Sequence, residues 1–114
     1  MFVRWWFEAF LLTLLIECPL IVWLLRSPAA RWPRLLGLSV FANLVTHPAV
    51  WFVFPALGLG YWRSVTVSEL WAWGGEAAFW SLVLPAVGWR RAVWASLCSN
   101  LASFGLGLLL FHPW

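Results

Sequence analysis

Apolar residues dominate the chain in four long runs, and most polar residues collect in the short breaks between them. A membrane-spanning helix needs about 20 mostly apolar residues. Four segments meet this requirement: Trp5–Leu25, Leu35–Leu57, Val67–Pro85 and Ala92–Phe111. The pattern predicts an all-α integral membrane protein with four transmembrane helices.

The breaks between these runs are rich in Arg, Pro and Gly. They read RSPAARWPR (26–34), GLGYWRS (58–64) and PAVGWRR (85–91). Gly and Pro are typical of turns that end helices. Because every connection is short, consecutive helices are expected to be antiparallel neighbours. We expect residues 1–114 to form a single transmembrane domain.

Charged residues make up only 10% of the chain, against about 25% in a soluble domain. All seven basic residues are Arg, and five of them lie in the first and third breaks. The positive-inside rule then places 26–34 and 85–91 in the cytoplasm and both termini outside, with a bacterial inner membrane as the expected location. The Arg residues do not form a dense basic patch, which argues against a nucleic-acid partner. The expected surroundings are the lipid bilayer.

The chain is also rich in Trp, with twelve residues of this type. Several aromatic residues fall near the predicted membrane borders, as an aromatic belt requires. They are Trp5, Trp6, Trp32, Tyr61, Trp62, Trp89 and Trp114. Cys18 and Cys98 lie in apolar runs without disulfide spacing, and we expect both to be small buried residues.

Two segments of the chain align without gaps. Residues 31–48 (RWPRLLGLSVFANLVTHP) and 88–105 (GWRRAVWASLCSNLASFG) share a Trp, an Arg and the polar set Ser-x3-Asn-x2-Ser/Thr. Upstream, Glu17 and Glu76 precede the paired Asn43 and Asn100 by 26 and 24 residues. We predict a duplicated helical hairpin, with repeats at about 5–60 and 65–114 related by a pseudo-two-fold axis along the membrane normal.

All four acidic residues fall inside predicted spans. A charge in mid-bilayer costs at least about 2.5–3.5 kcal/mol, so such residues face the bundle interior and are functional candidates. The predicted ligand- or ion-binding residues are Glu17, Ser39, Asn43, Thr46, His47, Glu76, Ser96, Asn100 and Ser103. Glu8 and Glu69 are predicted to form an outer vestibule.

Each candidate also has a purely structural interpretation. Glu17 and Glu76 fasten helices together if each is protonated and hydrogen-bonded to an Asn, although interhelical polar contacts average only about 0.6 kcal/mol. Glu8 lies four residues after Arg4, which predicts an ordinary helix-surface ion pair. His47 is either a hydrogen-bonded interior residue or a metal ligand together with Glu17 or Cys18.

Two functions follow from these patterns. The first is a small transporter that binds and translocates a proton, a cation or a metal ion at a midplane Glu/Asn site. The second is a non-catalytic membrane subunit that packs against and stabilises a larger membrane complex. A small residue at every fourth position, from Ala95 through Ser99 and Ser103 to Gly107, favours close helix packing within the bundle, in a homo-oligomer or with another membrane subunit. No nucleophile–base motif favours an enzyme, and neither a cofactor nor a particular metal is indicated.

Overall fold

The computed structural model describes residues 2–28 and 30–111, and they are almost entirely helical. The four long helices are α1 (Phe2–Leu25), α2 (Trp32–Pro48), α3 (Tyr61–Val83) and α4 (Trp89–Phe111). The predicted all-α class with four helices is confirmed.

Helix α2 continues beyond its last α-helical turn in a different form. Ala49–Val53 is a π-helical turn and Phe54–Leu57 a 3-10 turn, and the backbone N–H of Phe54 donates to the carbonyl of Ala49. Pro48 begins this change because its ring displaces the preceding turn and supplies no N–H. Gly58, at φ +70°, ends the segment in a left-handed conformation that other residues rarely adopt.

Three helical segments are long and apolar enough to cross a membrane. They are Val3–Leu25, Trp32–Leu57 and Trp89–Leu110. The long axis of the fold measures 43 Å, close to the about 40–45 Å of a bilayer with its headgroups.

Helix α3 has the length of a span but a different composition. It has 23 residues and includes Arg63, Glu69 and Glu76. It begins at Tyr61, six residues before the predicted boundary at Val67, because the apolar run marks only the part that suits hydrocarbon and a helix can continue through polar residues. Its membrane crossing stays a prediction.

Neighbouring helices surround a common interior. Helix α1 packs against α2 and α4, and α3 packs against α4 and, less extensively, against α2. The main hydrophobic core combines the last turns of α1 and α3 with the first turns of α2 and α4. Its fully or almost fully buried members are Ile21, Leu25, Ala30, Leu35, Trp80, Leu84, Ala92 and Ala95.

An arginine closes the end of the bundle nearest this core. Arg91 donates from Nε to the carbonyl of Leu24 at 2.7 Å and from Nη2 to that of Arg26 at 3.0 Å. These two carbonyls lie at the C-terminal end of α1, where backbone acceptors lack partners within the helix and a positive charge is favoured. Arg91, which is one of the Arg residues used in the topology prediction, therefore also joins α4 to α1 through hydrogen bonds.

The outer surface of the bundle is aromatic and apolar. Of the predicted belt, Trp5, Trp32, Tyr61, Trp62 and Trp89 are each more than half exposed. Trp6 is half-buried, and Trp114 lies outside the described residues. Cys18 is buried as predicted, but Cys98 is exposed, so that expectation was wrong. Apolar composition does not distinguish a lipid-facing helix position from an interior one.

Candidate functional site

All four helices line a partly open cavity of about 1150 Å³ in the half of the bundle away from the hydrophobic core. It extends from Trp5 and Tyr61, near the first turns of α1 and α3, to a floor formed by Glu17, Asn43 and Asn100. The volume is slightly above the about 300–1,000 Å³ that is typical of small-molecule pockets.

Glu17 lies at this floor and is only 2% exposed. The Ser103 hydroxyl on α4 donates to Glu17 Oε2 at 2.7 Å. Among residues 2–28 and 30–111, Ser103 is the only hydrogen-bond partner of this carboxyl. The contact joins a residue of the first predicted repeat to one of the second.

Glu76 lies on α3 and is equally buried, at 2% exposed. The side-chain amide of Asn100 donates to its Oε2, and the Thr46 hydroxyl on α2 lies 3.3 Å from its Oε1. Glu76 therefore has two partners, one from each predicted repeat. It does not line the cavity itself but lies directly beneath Asn100 and Thr46, which do.

The two Asn residues make the same local contact in their helices. Asn43 Nδ2 donates to the carbonyl of Ser39 at 2.9 Å, and Asn100 Nδ2 donates to that of Ser96 at 2.8 Å. Each amide is thereby fixed by the residue one turn earlier. Asn100 makes further contacts, because its amide also donates to the carboxyl of Glu76 and lies 3.4 Å from the Ser96 hydroxyl.

Three carboxyls are close enough for their charges to interact. Glu17 interacts with both Glu76 and Glu69, and Glu69 interacts with Glu76. Glu69 is half-buried in the cavity wall. Within the described chain its carboxyl accepts no hydrogen bond and forms no ion pair. The site therefore combines two hydrogen-bonded buried carboxyls with a third that faces open space.

The other predicted site residues fall into two groups. His47, Thr46 and Ser103 line the cavity with Asn43 and Asn100, whereas Ser39 and Ser96 are buried behind it. Ser96 instead joins two helices, because its hydroxyl donates to the carbonyl of Trp73 at 2.8 Å.

The two predicted vestibule residues also lie along the cavity. Glu8 is 50% exposed and accepts a hydrogen bond from Arg4 Nε at 2.9 Å, so the expected ion pair is present. Arg4 therefore already balances the charge of Glu8. Glu69, by contrast, is free of an ion pair among the residues described.

His47 packs among aromatic rings at the side of the cavity. Its ring centroid lies 5.4 Å from that of Phe10, 6.3 Å from Trp6 and 6.4 Å from Trp51. Its Nε2 is 3.4 Å from the Thr13 hydroxyl, and its Nδ1 is buried without a partner in the described structure. Within that part of the chain, no three His, Cys, Asp or Glu residues are grouped to hold a metal ion.

Sequence reasoning missed several contributors to the site. Trp71 Nε1 donates to the carbonyl of Thr46 at 3.3 Å, next to the hydroxyl that faces Glu76. Thr13 contacts His47 and lies one turn before Glu17 on the same helix face, a spacing that was visible in the sequence. Nothing in the sequence indicated the Trp71 contact, because nothing distinguishes Trp71 from the other Trp residues among the twelve in the chain.

No protein-family model, curated protein or solved structure matches this chain significantly.

Proposed function

We propose that this chain is an integral membrane protein that binds and translocates a proton or a cation through its midplane carboxyl site. The observation that carries the proposal is the placement of Glu17, Glu69 and Glu76 within electrostatic reach of one another around a cavity bounded by four helices. Carboxyls inside a membrane are expensive and by default mark ion or proton pathways.

The proposal includes four spans in an up-down-up-down arrangement, with α3 as the fourth. Its support is the main core, which unites the ends of α1 and α3 with the beginnings of α2 and α4. The short connections between helices favour the same arrangement. In the proposed orientation, the Arg-rich connections face the cytoplasm of a bacterial inner membrane and the cavity opens outward.

The proposal also includes the duplication of a helical hairpin. It is supported by two reciprocal contacts, Glu17 with Ser103 and Glu76 with Thr46, in which a carboxyl of one repeat meets a hydroxyl of the other. A pseudo-two-fold axis along the membrane normal relates these two contacts.

The cavity and the core suggest how translocation proceeds. Among the described residues, the cavity lining reaches Glu17, Asn43 and Asn100 at its deep end, and at the other end of the bundle Trp80, 1% exposed, is part of the main core. A cation that enters past Glu69 therefore reaches Glu17 but has no open path onward. Passage requires the core end to open while the cavity closes, which is gated transport and not an open pore.

The alternative is a non-catalytic subunit that stabilises a larger complex or a homo-oligomer. It depended in part on the stripe of small residues on α4. In the fold, Ala95 and Ser99 of that stripe are buried within the bundle, and Ser103 contacts Glu17. The stripe is therefore used for packing inside one chain, and this support for a partner is removed.

Reconstitution in liposomes tests the proposed function. The purified protein is expected to carry protons or monovalent cations down an imposed gradient, and Glu17→Gln or Glu76→Gln is expected to abolish this flux. Arg90→Gln, a change of charge at an exposed residue, serves as the control and is expected to leave the flux unchanged. Absence of flux, together with co-purification of another membrane protein, would favour the subunit alternative.

A further inference from the structure

We propose that the cavity binds a bulky hydrophobic organic monocation, an inference that rests on the proposed function and names its substrate class. The first argument is size. A bare inorganic ion needs a compact set of oxygen ligands, whereas this cavity measures about 1150 Å³. Pockets of several hundred Å³ or more accommodate organic molecules of drug size.

The second argument is the distribution of charge. The described residues that line the cavity include Glu8, Glu17 and Glu69 but no arginine. Glu8 and Glu17 lie nine residues apart on α1, which corresponds to about 13 Å along a helix. Carboxyls spread over that length do not form one coordination shell. Because Glu8 is paired with Arg4, the negative potential that a large molecule would meet comes from Glu17 and Glu69.

The third argument is the chemistry of the walls. Trp5, Trp51 and Tyr61 line the cavity together with aliphatic side chains such as Leu12 and Val50. Aromatic faces attract cations whose charge is spread over a large apolar body. These aromatic and aliphatic side chains offer a strongly hydrated ion no oxygen ligands, although carboxyl, amide and hydroxyl groups also line the cavity.

The fourth argument is the state of the nearest carboxyls. Glu8 is paired with Arg4, and Glu17 is hydrogen-bonded to Ser103. Glu69, which has no hydrogen-bond partner or ion pair among the residues described, faces the same space from α3. Glu69 is therefore the counter-ion for the bound cation, and Glu17 lies at the deep end of its path.

Binding of radiolabelled tetraphenylphosphonium to the protein in nanodiscs tests this inference, with empty nanodiscs as the background. Tetraphenylborate has the same shape and the opposite charge. We expect saturable binding of the cation and none of the anion. Glu69→Gln is expected to weaken binding at least about tenfold, because it removes the charge partner of the cation.

A pair of aromatic variants shows whether the cation binds at the cavity walls or at the outer surface of the protein. Trp51→Leu is expected to weaken binding about threefold through loss of a cation–π contact. Trp94→Leu removes an indole that is 64% exposed and does not line the cavity, so its binding is expected to equal that of the wild type. Unfolding curves in detergent identify any variant that fails to fold.

The outcomes separate this inference from the proposed function. Equal binding of cation and anion, or binding indifferent to both Glu69→Gln and Trp51→Leu, would overturn the inference, even if Glu17-dependent proton flux persists. Specific binding of tetraphenylphosphonium without any ion flux would support the inference and contradict the proposed translocation.

Discussion

The two contacts between carboxyl and hydroxyl groups are expected to differ in strength, although the proposed duplication would make them equivalent in position. Ser103→Ala removes the hydroxyl that meets Glu17, and Thr46→Val removes the one that meets Glu76. We expect Ser103→Ala to destabilise the protein more. The expectation follows from the number of partners and from the distances.

Glu17 loses its only hydrogen-bond partner in the described structure when Ser103 is truncated, whereas Glu76 keeps Asn100 when Thr46 is replaced. The Ser103 hydroxyl is also nearer to Glu17, at 2.7 Å, than to the carbonyl of Asn100, at 3.1 Å. We therefore assign Ser103→Ala about 1.7 kcal/mol, the upper end of measured interhelical hydrogen bonds.

The Thr46 hydroxyl, in contrast to that of Ser103, is nearer to a backbone carbonyl of its own helix than to the carboxyl it meets. It lies 3.1 Å from the carbonyl of Ala42 and 3.3 Å from Glu76. Val keeps the shape of Thr, so the loss is confined to a weak shared hydrogen bond. We expect Thr46→Val to lower the free energy of unfolding by no more than about 0.6 kcal/mol, the average for such contacts.

Reversible unfolding in mixed micelles, followed by circular dichroism, measures both changes. Ser81→Ala is the matched control, because in the part of the chain that the structure describes the Ser81 hydroxyl donates within its own helix α3, to the carbonyl of Ala77 at 2.8 Å. Its effect is expected to stay within about 0.5 kcal/mol. A loss for Thr46→Val equal to or larger than that for Ser103→Ala would refute the reasoning.

Three further expectations concern the ends and the surface of the bundle. Arg91→Lys is expected to lower the free energy of unfolding by about 1 kcal/mol, since an ammonium group does not reproduce the two-pronged contact with the end of α1; an unchanged unfolding curve would contradict it. Gly88→Ala is expected to lower the free energy of unfolding by about 1–3 kcal/mol in the same assay, because Gly88 has φ +91°. Gly37→Ala is the control. Gly37 is helical and has nothing within 4 Å of the added carbon, so this change is expected to be neutral or stabilising. A nitroxide attached to the exposed Cys98 is expected to be relaxed more by oxygen than by a water-soluble nickel chelate in liposomes; the reverse order would place this face of α4 in water.

Much of the fold is predictable because the membrane limits the choice of structure. The continuous apolar runs around Glu17 and Asn100 are long enough for spans, and in lipid only helices satisfy every backbone group within one segment. The start of α3 at Tyr61 was missed since apolarity defines the part that fits in hydrocarbon, not the part that is helical. The turn types after Pro48 depend on how the freed carbonyls find new donors, which composition does not specify.

The candidate site was predictable as a set of residues but not as a set of contacts. Repetition and rarity identified Glu17, Asn43, Glu76 and Asn100, because a polar residue at hydrocarbon depth is costly and is usually kept for a partner or a function. That each carboxyl meets a hydroxyl from the other predicted repeat depends on helix rotation and packing, which periodicity does not determine. The position of Glu69 toward the open cavity, in contrast to the ion-paired Glu8, also became visible only in three dimensions.

Infrared difference spectroscopy tests the central claim most directly, namely that Glu17 and Glu76 act as one interacting pair on a cation or proton path. We predict that adding protons or the bound cation changes carboxyl bands assigned through Glu17→Gln and Glu76→Gln. We further predict that each substitution alters the response of the remaining band, because the two charges interact. Carboxyl bands that do not change on addition of protons or cations, or a band of one Glu that is unaffected by substitution of the other, would contradict the account.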